Sequence, residues 1–72
     1  MNGPIELLDV VALEHDLPEH GLVRGQVGTV VESLAAGVFE IEFSDDQGKT
    51  YAMLPIAADR LIVLHTAPVR TT

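Results

Sequence analysis

The clearest signal along the chain is the alternation over Val38–Phe43. Phe39, Ile41 and Phe43 fall on one side of an extended segment, and Glu40 and Glu42 on the other. That period of two is the mark of a strand with one buried face. Four further segments read as strands around it. Ile5–Glu14 mixes Val10 and Val11 with leucine, alanine and glutamate that tolerate helix. The β-branched pair decides for strand, with Val11 and Leu13 inward, Val10 and Ala12 on the other side and Asp9 near its start. Gln26–Ser33 carries Val27, Thr29, Val30 and Val31. Thr50–Leu54 is a fourth strand, stopped by Pro55, and Leu61–Leu64 a short fifth. Ile56–Arg60 reads as a single helical or 3₁₀ turn between them.

The breaks are as informative as the strands. In His15–Arg24, Pro18 pushes Leu17 toward extended geometry and Gly21 closes the excursion. The segment reads as a long loop folded back over the core and pinned by Leu17 and Leu22. Gly21 and Gly25 are turn positions, whereas Gly28 lies inside the second strand and marks a bulge, a tight bend or the close approach of another backbone. Leu34–Gly37 is a hairpin connection with Gly37 at positive φ, and Ser44–Lys49 is a polar turn. His65–Thr72 reads as a frayed tail. Five short strands, a long first loop and one turn before the last strand predict an all-β fold: a small, five-stranded SH3-like barrel. It forms one domain over residues 1–72, regular over 5–64 with a tail at 65–72. Its wrapping closes most of the sheet edge.

Composition then narrows the function. Of 72 residues, 47% are hydrophobic. A domain this small buries only about 60% of its unfolded surface. Some apolar area is therefore expected on the surface, where a contiguous patch implies a partner or self-association. Cysteine is absent, excluding disulfides, thiolate catalysis and cysteine-ligated metals. The N-terminus shows no signal-peptide pattern, and no apolar run approaches the roughly 20 residues of a membrane span. A cytoplasmic protein with no membrane contact is expected. Eleven acidic residues against four basic ones give a net charge of −7. Arg24, Lys49, Arg60 and Arg70 are too few and too scattered to replace phosphate counterions, so direct nucleic-acid binding is not expected.

Two clusters carry candidate chemistry. His15, Asp16, Glu19 and His20 place imidazole and carboxylate donors in one loop, a set that suits divalent metals. No fixed ligand spacing accompanies them, and a solvated loop accounts for them better. Glu32, Glu40 and Glu42 lie on neighbouring strands, with Asp45 and Asp46 at the next turn. They form an acidic stripe that either keeps a small apolar protein soluble or meets a basic partner. Tyr51 reads as a half-buried strand residue. Ser33 and Ser44 lack a nucleophile motif, and no pair of carboxylates has an evident desolvated pocket. No enzyme activity and no cofactor are expected.

Arg24–Val30 (RGQVGTV) resembles a segment of the SH3-like domain of the nitrile hydratase β subunit and its small activators. It is also similar to the Gly-x-x-Gly-x-Val core of KOW-type barrels. A fuller resemblance, over most of the chain, is to an uncharacterised bacterial family, domain of unknown function 4926. It rests on Asp9–Leu13 (DVVAL), Asp16–Leu22 (DLPEHGL), Arg24–Glu32 (RGQVGTVVE), the acidic-aromatic third strand and Tyr51–Leu54 (YAML). KOW barrels that touch RNA are basic, unlike this chain. Nitrile hydratase takes its metal-binding cysteines from the partner subunit, so no ligand carries over. The resemblance implies the barrel fold and assigns no activity. The functional expectation is a small acidic protein-interaction module, an accessory, regulatory or antitoxin/immunity-like subunit. The alternative is a metal-handling or enzyme-maturation accessory like the nitrile hydratase activators.

Overall fold

A computed structural model describes residues 4–65. In chain order its strands are β1 (Val10–Leu13), β2 (Val27–Ala35), β3 (Val38–Ser44), β4 (Thr50–Ala57) and β5 (Leu61–Val63). Short 3₁₀ turns occupy Pro18–His20 and Ala58–Arg60. The strands form one antiparallel sheet in the order β4-β3-β2-β1-β5. Among the described residues the fold is all-β, with 3₁₀ turns and no α-helix. The open five-stranded sheet is consistent with a small barrel-like fold.

Alternation builds the core. Val11 and Leu13 of β1, Val30 of β2, Ile41 and Phe43 of β3, Leu54 and Ile56 of β4, and Leu61 of β5 meet in one buried cluster. A sheet whose five strands all contribute to one cluster has to curl around it. The sharpest requirement falls on Gly28, buried in β2 opposite Val11. A Cβ there would sit 2.7 Å from Ile41 Cγ2 and 2.9 Å from the Glu42 carbonyl oxygen. Gly28 is thus the close approach of another backbone. The bulges of β2 lie further along, between Val30 and Glu32 and between Ser33 and Ala35.

The His15–Arg24 loop folds as its sequence suggests. Leu17 and Leu22 are buried and form an isolated bridge, with the Leu17 N–H donating to the Leu22 carbonyl at 2.8 Å. Pro18 opens the 3₁₀ turn between them and Gly21, at φ 69°, ends it. Such a turn is too short to leave a periodic signature. At the next hairpin only Ala36 and Gly37 stay outside the strands, because β2 continues through Leu34 to Ala35.

Two other strand boundaries differ from expectation, each for a local reason. The first strand does not run from Ile5 to Glu14, because residues 7 and 8 turn instead. The Asp9 carboxylate accepts the Glu6 N–H at 2.9 Å, and the Asp9 N–H donates to the Glu6 carbonyl at 3.1 Å. This local pairing competes with strand formation. Leu8 sits at φ 70° and is 76% exposed, while its N–H reaches the Val30 carbonyl at 2.7 Å. The fourth strand, conversely, runs straight through Pro55 to Ala57. β4 is at an end of the sheet, where a residue without an N–H fits. The helical turn before β5 therefore shrinks to Ala58–Arg60, and β5 ends at Val63. The pairing also stops at β4 and β5 instead of closing the edge. Of the expected tail, all but His65 lies outside the described residues.

Two stability changes are expected in urea denaturation. Gly28→Ala forces a methyl into the β3 backbone and destabilises by about 1–3 kcal/mol. Leu8→Gly relieves a left-handed leucine that buries little and stabilises by about 0.5–1 kcal/mol.

Candidate functional site

The register of β2, β3 and β4 decides which acids share a surface. Glu42 pairs with Thr29 on one side and Met53 on the other. One step along, Glu40 pairs with Glu32 and Pro55. These two rows cover the outer face, opposite the buried Ile41 and Phe43. In an unbroken ladder, Val30 opposite Ile41 would place Val31 opposite Glu40 and turn Glu32 inward beside Phe39. The bulge between Val30 and Glu32 adds one residue to β2 and returns Glu32 to the outside. It also brings two carboxylate-bearing residues directly opposite one another.

Like charges facing each other across a strand pair are destabilising. Among the described residues, neither Glu32 nor Glu40 has a hydrogen-bond or ion-pair partner for its carboxylate. Glu32 is exposed, and Glu40 and Glu42 are half-buried in the strand surface. Glu42 differs from Glu40 in accepting a hydrogen bond from the Thr50 hydroxyl. The two aspartates at the β3–β4 turn also differ. Asp45 Oδ1 accepts the Gln47 and Lys49 N–H groups, both at 2.9 Å, and so holds the turn together. Asp46 is exposed beside it.

Met53, opposite Glu42, adds an apolar side chain to this face, and Tyr51 lies beside the β3–β4 turn with Asp45 and Asp46. Tyr51 and Met53 are 49% and 51% exposed, so Tyr51 is more open than its sequence position suggests. Its hydroxyl accepts a hydrogen bond from Gln26 Nε2 at 3.1 Å, and its ring centroid lies 6.3 Å from that of Phe43. Met53 carries no outward signal in the sequence, because Tyr51–Leu54 is apolar on both strand faces. The Tyr51–Gln26 contact, made by residues 25 apart, has no local sequence signal.

The loop residues are distributed differently. His15 and Asp16 line a shallow depression of about 400 Å³ with Asp59 and Arg60. Glu19 and His20 line another, of about 300 Å³, beside Leu17 and the Pro55–Ala57 end of β4. Asp16 Oδ1 accepts the Arg24 N–H at 2.8 Å, which ties the loop's two limbs together. Among the described residues, no three histidine or acidic side chains come together as a metal site. No described helix is long and apolar enough to cross a membrane.

With this geometry in view, the chain can be placed. Residues 7–63 match the family model described as Domain of unknown function (DUF4926), and the chain belongs to that family. Comparison with curated proteins and with solved structures gave no match.

Asp45→Ala removes the acceptor of two backbone N–H groups. It is expected to lower the unfolding free energy by about 1 kcal/mol, and hydrogen exchange at Gln47 and Lys49 accelerates if the turn opens as described.

Proposed function

We propose that this chain is a small acidic protein-interaction module. It works as an accessory, regulatory or antitoxin/immunity-like subunit that binds a basic protein partner through the outer face of β2, β3 and β4. The observation that carries the reading is the Glu32–Glu40 pair. Solubility needs acids on the surface, but it does not need two of them opposed and uncompensated when a lysine would serve as well. A basic partner converts that repulsion into attraction and steers encounter. Tyr51 and Met53 supply exposed apolar area beside the acids, as the core of an interface requires.

In this reading the chain contributes binding and no catalysis, and its lack of cysteine suits the cytoplasm. The metal-handling alternative draws less support, because the donor residues of the loop are divided between two depressions.

Glu40→Lys tests the proposal in both directions. Opposite Glu32 it replaces repulsion by attraction, so the free chain gains about 0.2–1 kcal/mol. Affinity capture from the native host at low salt is expected to recover a basic protein with the wild-type chain. Recovery should fall about tenfold or more with Glu40→Lys, and also fall as salt screens the contact. Recovery indifferent to both the substitution and the salt would count decisively against this surface.

A further inference from the structure

The outer edge of β4 has a backbone pattern that the acidic face alone does not explain. Pro55 pairs with Glu40 although it has no N–H to donate. Their pairing is therefore of the non-hydrogen-bonded kind, in which both residues' backbone groups point away from each other. Counting by two along β4, the N–H and C=O of Met53 and the C=O of Pro55 point outward from the sheet. Because β4 ends the strand order, no strand among the described residues lies on that side. Among the described residues, no backbone group of Met53 or Pro55 bonds outside the β3 ladder. This edge runs into the depression beside Leu17, Glu19 and His20.

We infer that this edge receives an extended, basic segment of the partner protein as a sixth strand. The inference rests on the reading of the acidic face as partner-binding, and it specifies how the partner is held. One residue of the incoming strand exchanges two hydrogen bonds with Met53, and a neighbouring N–H reaches the Pro55 carbonyl. Lysine or arginine side chains lie over Met53 toward Glu42 and Glu40, one strand further in. Glu19 offers a further carboxylate where the segment enters the depression, whose other wall includes Arg60. Charge selects the occupant. A second copy of this chain would bring its own Glu40 and Glu42 to the same edge, and each copy carries a net charge of −7. Pro55 supplies an acceptor and no donor, which keeps the edge from extending into a longer ladder.

The test uses the intact chain, labelled with ¹⁵N, and a synthetic octapeptide alternating arginine and valine. Two versions of the peptide are N-methylated, each along one of its edges, so that strand addition itself is tested on the unaltered protein. The expected result is saturable binding with the Met53 amide shifted and protected from exchange. N-methylation along one edge removes the N–H donors to the Met53 and Pro55 carbonyls and should weaken it about tenfold or more, since each hydrogen bond is worth roughly 1 kcal/mol, while methylation along the other edge should leave it intact. Glu40→Gln with Glu42→Gln should weaken it further. Equal binding by both methylated peptides, still weakened by the glutamine changes, would overturn strand addition and leave the acidic face standing. Binding insensitive to the glutamine changes would overturn the basic partner. Absence of peptide binding, or a dimer in sedimentation that protects Met53 without peptide, would also overturn the inference.

Discussion

The structure depends on the contact between β2 and β3 at Gly28. These two paired strands approach there so closely that a single methyl group would overlap the Ile41 side chain and the Glu42 carbonyl of β3. Once β2 is held at Gly28, Val30 faces Ile41 in the core. The remaining residues of β2 must then reconcile two demands: continued pairing with β3, and an outward Glu32. A carboxylate pointed inward beside Phe39 would cost several kcal/mol without a partner. The bulge after Val30 resolves the conflict by one residue of slip. It places Glu32 and Glu40 in opposition on the surface, so the acidic face is a consequence of how the core is registered.

The same constraint separates acids that look alike in sequence. Glu32 and Glu40 face each other without compensation, Glu42 is engaged by Thr50, and Asp45 is spent on its own turn. Five acidic residues near one another are therefore not five equivalent contacts. The pair created by the bulge is the one whose arrangement lowers the stability of the free chain, and such local conflicts are where function is sought in an otherwise consistent fold.

Much of this was legible in the sequence. The alternation in Val38–Phe43 placed β3 and both of its faces, and the Leu17–Leu22 pinning of the loop followed from Pro18, Gly21 and two isolated leucines. Family membership agrees with the segments that carried the resemblance. Other features had no local trace. Glu32 was expected in the acidic stripe because of its charge, but it shares the parity of Val30, so alternation alone would have buried it. Its outward position depends on a slip that only the partner strand reveals. Strand propensity could not foresee that the Asp9 carboxylate would turn Glu6–Asp9, nor that β4, as an edge strand, would pass through Pro55. The facing of Glu32 and Glu40 is a property of register, and register is set by the whole sheet.

The most direct measurement is a double-mutant cycle in the free chain, with Glu32→Gln, Glu40→Gln and the combination unfolded in urea at low salt. The account predicts an unfavourable coupling between the two carboxylates of about 0.2–1 kcal/mol, shrinking as salt is added. A coupling of zero or of favourable sign would contradict it, because the two acids would then not be opposed and uncompensated on the surface.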